Sequence, residues 1–524
     1  MATDRIPPLH PASVVRSYRK ASTDILSARR HTTHDGSEVP APWLRHKLLP
    51  TLPLALQLWL FIACDARVEA ADRPAPPAAP RQSVVINGVP HIQQKNDFCG
   101  EACAAMYLNK LGETVDQDYV FDRSGLDPAL GRGVYAKELK RALETIGFDV
   151  GKVWTQIPMS GNASAAFADL HADLLEGIPS IVCMYSSDSA AATEHFRLIL
   201  GYDTKTDEVI YHEPAHKEGA YRRMARATFL KLWPLKWRER KTIVRMRLAP
   251  DALEYGEIAT EFTSADYAQA VMRLKPRIPS GFTVVVEPPF VVIGDGAPQT
   301  VRDISATTVR LAVRVLKKDF FPKDPDDIIA IWLFKDRNSY LHYTKSIFDH
   351  VPTTPYGYYD DDEKALVMNI STGGGTLVHE MVHAFMSANV PDCPPWLNEG
   401  LGSLYEGVDL QNDHLVGLLN WRLPGLQRAI AERELPSFGT LTSLSMHAFY
   451  NRDPGTNYAQ SRYLLYYLQE QGLLFDFYRS FLARQKQDPS GYEALEQTLG
   501  NPDMDRFQAK WEQWVMSLAQ HDRT

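Results

Sequence analysis

Spaced by apolar and polar positions, the chain falls into stretches of different period. Residues 84–91 (VVINGVPH) alternate, which predicts a strand. In 99–108, Ala102, Cys103, Met106 and Tyr107 fall on one helical face, with Asp97 ahead of them as a candidate N-cap. Residues 178–184 and 208–215 read as strands, and a charged helical stretch runs from 251 to 274. Residues 281–287 and 290–294 predict two further strands, 300–320 an amphipathic helix and 339–347 a short one. The unbroken apolar run 328–334 predicts a central strand, and 365–369, reached through Gly357, an edge strand. Residues 377–387 are apolar around most of the helical circumference, which predicts a buried helix, and the chain beyond is mostly helical. The expected class is α+β, with folded parts at 84–250 and 281–522 joined by a helical connector at 251–280.

Composition changes this picture mainly at the N-terminus. The chain has 524 residues, is 44% hydrophobic and 23% charged, and has a formal net charge of −8. No basic stripe stands out, so nucleic acid is not an expected partner. Residues 1–47 are basic and lack an apolar period, which reads as disorder or a misassigned start. The run LLPTLPLALQLWLFIA that follows is shorter than a membrane span and is led by Arg45-His46-Lys47. With the small-x-small site Val68-Glu69-Ala70, residues 48–70 read as a signal peptide, leaving no membrane span in the mature chain. Phe61-Ile62-Ala63-Cys64 is an imperfect lipobox, so Cys64 is a candidate lipid anchor. Either route takes the protein out of the cytoplasm, to a periplasmic or extracellular location. The Pro/Ala-rich residues 71–83 read as a stiff linker.

The buried helix at 377–387 carries His379-Glu380-Met381-Val382-His383, and Trp396-Leu397-Asn398-Glu399-Gly400 follows. Histidines four apart share a helix face, so His379 and His383 can grip one metal ion. Glu399 offers a third ligand, and a fourth position open to water is the pattern of a catalytic Zn2+ site. Glu380 is the candidate base. The two motifs together resemble the gluzincin metallopeptidases, the aminopeptidase N-like and peptidase MA-like groups. The resemblance implies a zincin-like domain with a small sheet ahead of the zinc helix, its edge strand beside bound peptide. Tyr458-Ala459-Gln460-Ser461-Arg462-Tyr463 resembles the helix whose first tyrosine steadies the oxyanion, which implies that role for Tyr458 and packing for Tyr463. Cys393 reads as incidental.

A second constellation lies in 84–250. Cys99 opens the predicted helix, where the dipole and free backbone N–H groups favour a thiolate. The stretch Gln93 to Ala102, with Cys99-Gly100 inside it, resembles the papain-like, double-glycine leader (C39-like) peptidases. So do Glu194-His195-Phe196 with Gly201-Tyr202-Asp203, and Glu213-Pro214. The resemblance implies Cys99 as nucleophile, His195 as general base and Gln93, rather than Gln94, as oxyanion donor. Glu213 stands where that family has an aspartate that orients the histidine. Cys103 and Cys183 read as packing residues, and His212 and His216 as surface residues.

The expectation is an exported tandem peptidase acting on peptide or protein substrates: a papain-like domain followed by a gluzincin-like zinc domain. Three alternatives stand beside it. The first domain could be a silent peptide-binding module or an amidase or acyltransferase, and the whole chain could be an inactive envelope scaffold.

Overall fold

The computed structural model describes residues 82–237, 239–253 and 261–519. The leader, the signal segment with Cys64 and nearly all of the linker lie outside these residues. Among the described residues, no helix is long and apolar enough to cross a membrane.

The first part is a mostly antiparallel sheet covered on both faces. Its strands are β1 Val84–Val85, β2 Trp154–Pro158, β3 Ser180–Tyr185, β4 Glu194–Asp203, β5 Glu208–His212, β6 Arg222–Ala225, β7 Leu235–Trp237 and β8 Arg240–Arg247. The main order is β2-β8-β3-β4-β5-β6, with β1 paired to β4 and β7 to β8. Helices α1 Cys99–Lys110 and α2 Ala136–Ile146 cover one face, and α3 Ser164–Leu175 the other. Side chains of β3 alternate between the faces: Ile181 and Cys183 pack with α1, Val182 and Met184 with α3. Both sets are apolar because both faces are covered, so the strand reads as a continuous run.

Residues 84–91 do not form the long strand that their alternation predicts. Only Val84–Val85 is paired, and Gly88 turns the chain away with φ 73°. Asp97 is not the N-cap of α1 either. It has φ 61°, the N-cap is Phe98, and the Asp97 carboxylate instead accepts from Gly133 N at 2.8 Å. A cap must sit one residue before the first turn, and here the left-handed turn at Asp97 intervenes.

The connector contributes α4, Ser264–Leu274, capped by Thr263 and Asp266. This helix joins the two parts. Ala265 and Ala268 belong to the first core, whereas Tyr267 and Val271 belong to the second. Gln269 Nε2 donates to Asn96 O at 2.9 Å, tying α4 to the loop just before Cys99.

The second part holds a five-stranded sheet: β9 Thr283–Glu287, β10 Phe290–Gly294, β11 Ile329–Phe334, β12 Gly357–Asp360 and β13 Ala365–Asn369, in order β9-β10-β11-β13-β12. The parallel pairs β10/β11 and β11/β13 sit at its centre. The predicted edge strand at 365–369 is therefore internal, and β12 forms the edge. Burial explains the difference: every residue of β13 is buried, whereas Tyr358, Tyr359 and Asp360 of β12 are half-buried. The predicted helix at 300–320 is a continuous run through a π-helical turn at Ser305–Val309, ending in α5, Arg310–Asp319.

One face of this sheet packs on α4 and α6, Arg337–Phe348, and the other on α7, Gly375–Asn389. Leu377, Val378, Met381, Val382 and Phe385 of α7 are almost fully buried, each worth roughly 1.5–3 kcal/mol in transfer terms. Helix α8, Pro395–Leu404, then packs against α9, Pro454–Glu470. Gly400 permits that approach, since a Cβ there would lie 3.0 Å from Leu465 Cδ1 and 3.2 Å from Ser461.

Gly131 sits at the junction of the two parts with φ 53°, and an added Cβ would fall 2.6 Å from Val271 Cγ1 of α4. Gly131→Ala is expected to cost about 1–3 kcal/mol, read as a lower denaturant midpoint with an unchanged slope.

Candidate active sites

The zinc-motif residues come together as the sequence suggests. His379 and His383 project from α7, and Glu399 comes from α8. One donor atom from each lies within 4.8 Å of the others, and this is the one such group of three among the described residues. Glu399 Oε2 stands 3.2 Å from His379 Nε2 and 3.4 Å from His383 Nε2, yet it is buried and in hydrogen-bond alignment with neither. Two ligands held tetrahedrally about 2.1 Å from one zinc ion stand roughly 3.4 Å from each other. Three convergent donors, with a buried carboxylate oxygen lacking a donor, fit a cation of that size.

Partners behind the donors set their orientation. Asn398 Oδ1 meets His383 Nδ1 at 2.9 Å, which fixes Nδ1 as the protonated nitrogen and turns Nε2 inward. Glu406 Oε1 lies 3.3 Å from His379 Nδ1. Glu406 is itself held by Arg422, at 2.6 and 3.1 Å, and by Asn420 Nδ2 at 3.0 Å. Gly402 makes room for the His379 ring, because a Cβ would come within 3.2 Å of it. Arg462, completely buried, donates to the carbonyls of Ser403 and Leu418, securing the C-terminal end of α8.

Electrostatics follow from this crowding. Burial disfavours the His379 imidazolium, but Glu399 and Glu406 outweigh it and push its pKa up to about 10. Burial also opposes ionisation of Glu399, but the two imidazoles hold it well below the usual carboxylate range. Glu406, with burial overcome by His379 and Arg422, falls to about 2. The pocket is thus built for a positive charge between fixed carboxylates.

Glu380 is half-buried next to His379, and its charge reaches the phenols of Tyr340 and Tyr450. Tyr450, which sequence reasoning missed, donates to Glu399 Oε1 at 2.5 Å. Tyr458 packs tilted against Phe449 and edge-on to Tyr450, with the Arg422 guanidinium 5.1 Å from its ring centroid. Burial, then Glu399, raises the Tyr458 phenol, so it stays protonated as a donor. Tyr463 is fully buried, as expected of a packing residue, and Cys393 lies outside the donor group. Glu406 and Arg422 were also missed: neither falls in a motif, and a loop and a hairpin separate them in sequence.

In the first part, His195 on β4 and Glu213 after β5 are paired, with His195 Nε2 at 2.5 Å from Glu213 Oε1. Arg197 Nε holds Glu213 Oε2 at 2.7 Å. Burial raises the Glu213 carboxyl, but His195 and Arg197 prevail and hold it at about 2. Glu213 therefore meets the imidazole as an ionised group, through Nε2.

Cys99 opens α1 and is half-buried against Phe196, the residue after His195. The expected lowering of its thiol pKa does not hold for the resting arrangement. Burial, reinforced by Glu101 and Asp97, pushes the thiol up to about 12 despite hydrogen bonds from the Phe196 and Gly100 backbone. Gln93 faces solvent, whereas Gln94 turns inward with its Oε1 buried and its N bonded to Pro214 O at 2.9 Å. The sequence points to Gln93 as the oxyanion donor, whereas the structure turns Gln94, not Gln93, inward. His212, expected at the surface, is completely buried, its ring held between Val89 O at 3.0 Å and Tyr221 N at 2.9 Å. His216 is exposed, and Cys103 and Cys183 are buried in the core.

Compared with known families, residues 86–242 match the Peptidase_C39 like family. This segment is a Peptidase_C39-like domain. It spans the loop before Cys99, the helix that Cys99 opens, and the paired His195 and Glu213, and it supports a peptidase. The peptidase domain of Streptococcus ComA, a bi-functional ABC transporter involved in a quorum sensing pathway, aligns at 13% identity. That alignment covers 31% of this chain and 99% of that one, with a TM-score of 0.20. No curated protein matches the chain.

Two predictions follow from these geometries. Asn398→Ala and Glu406→Ala should each weaken zinc binding roughly 10–100-fold, measured by competition with a chromophoric chelator. Gln94→Ala should cost more turnover than Gln93→Ala at the cysteine site, roughly 10²-fold or more if Gln94 donates to the oxyanion; a larger loss in Gln93→Ala would return the role to Gln93.

Proposed function

We propose that this is an exported tandem peptidase, with a thiol site at Cys99, His195 and Glu213 and a zinc site at His379, His383 and Glu399. The observation that carries the second site is the convergence of the three donors, one of them a buried carboxylate oxygen without a hydrogen-bond donor. Export rests on the reading of residues 48–70, with Cys64 as a candidate lipid anchor.

At the thiol site, His195 Nδ1 takes the Cys99 proton as the sulfur attacks a peptide carbonyl, then returns it to the leaving amine. Glu213 on Nε2 stabilises the intervening imidazolium. At the second site, a bound zinc ion would polarise the scissile carbonyl and acidify water. His379, His383 and Glu399 would hold it there. Glu380 accepts a proton from the attacking water and passes it to the leaving amine. Tyr450 keeps Glu399 aimed, and the Tyr458 phenol is the donor for developing negative charge. The free edge of β12 offers backbone groups to an extended peptide.

The resting Cys99 thiol, pushed up to about 12, favours a second reading in which the first domain binds peptides without cleaving them. A peptide-library digest by wild type, Cys99→Ala and Glu380→Ala, with zinc content measured, separates the two. Distinct sets of cleavages should disappear in the two variants, and wild type should hold about one zinc per chain. Loss in Glu380→Ala alone would leave the first domain a binding module, and wild type without zinc would remove the metallopeptidase reading.

A further inference from the structure

We propose that Arg197 is a positioning residue of the cysteine site, acting through Glu213 on His195, and that it is the reason a glutamate serves at position 213. The inference rests on Cys99 and His195 being the reacting pair.

Arg197 lies two residues beyond His195 on β4, so the two side chains leave the same face. It is buried, and its N–H groups are committed: Nε to Glu213 Oε2 at 2.7 Å, Nη1 to Tyr185 O at 3.3 Å, Nη2 to Ser186 O at 3.1 Å. The guanidinium is therefore fixed to the β3 end rather than free to follow the carboxylate. Glu213 is equally constrained. Its N donates to Gly219 O at 2.9 Å, and its carbonyl meets His91 Nε2 at 2.9 Å. With backbone and one oxygen pinned, Oε1 has one place to be, 2.5 Å from His195 Nε2.

Chain length decides why the acid is a glutamate. An aspartate from the same backbone would end about 1.5 Å short and could not meet a fixed guanidinium and the imidazole together. Arg197 also keeps the acid useful. A buried carboxylate with an unpaired oxygen is costly and tends to take up a proton, and a neutral acid no longer favours the imidazolium. Besides Cys99, the titratable groups near the trio are Cys103 on α1, Cys183 on β3 and Tyr211 on β5. Among the described residues none of them forms an ion pair with His195 or Arg197.

The test needs no substrate. Iodoacetamide alkylation of Cys99 in the full chain, read by mass spectrometry of its peptide, reports the thiolate as a function of pH. His195→Ala should slow it roughly tenfold or more at neutral pH. Arg197→Gln should slow it roughly tenfold and shift the acid limb to higher pH, with partial recovery in Arg197→Lys. In a Glu213→Gln background, Arg197→Gln should add nothing, because the two act as one unit. A folded Arg197→Gln variant with the wild-type profile, or additive effects in that cycle, overturns the proposal. Should Arg197→Gln not fold, Glu213→Asp decides: a shifted profile supports the proposal and a wild-type one overturns it. If His195→Ala leaves the profile unchanged, the reacting pair itself is wrong, and the inference falls with it by a separate outcome.

Discussion

A carboxylate taken out of water needs positive charge or donors close by, and Glu213 and Glu406, one in each candidate site, are placed by that demand. Glu213 gives one oxygen to His195 and the other to Arg197. Glu406 Oε1 lies near both His379 and Arg422, and its Oε2 accepts from Arg422 and Asn420. An unpaired buried charge costs several kcal/mol, so each glutamate settles only where a histidine and an arginine are both in place. The arginine neutralises the acid, and the acid in turn orients the imidazole. The orientation of both imidazoles is thus tied to satisfying buried charge.

The scaffolds make that possible by rigid means. In the first domain, one face of an antiparallel sheet brings His195 and Arg197 side by side, and the turn after β5 delivers Glu213 to them. In the second, a largely apolar helix is trapped between a sheet and later helices. Its two histidines can face only the gap left by α8, where Gly402 opens space for one ring and Asn398 fixes the other. Helix α4 belongs to both cores, so the domains are packed partners rather than beads on a string. Its bond from Gln269 to Asn96 reaches the loop leading to Cys99.

Much of this was legible in the amino-acid order. The apolar run at 329–334 became a central strand, and the H-E-x-x-H spacing put two histidines on one face, because helical and strand periods are local properties. Sequence reading failed where a neighbour in space decided the outcome. Alternation at 84–91 predicted a strand, but a left-handed glycine ended it after two residues. Residues 365–369 were taken for an edge, but a second strand covers them. His212 looked like a surface residue, yet two backbone partners allow its burial.

The chain by itself determined which residues could do chemistry: the two histidines four apart, Glu380 between them, Glu399 after a fixed interval, and the cysteine opening a helix. Tertiary structure decided who holds them. Tyr450, Glu406, Arg422 and Arg197 carry no motif, because orienting a ligand demands only a charge or a hydroxyl at the right point in space. It also reversed the expectation for the Cys99 thiol. Position at a helix start favours the thiolate, but desolvation depends on everything packed around the sulfur, and no local pattern records that.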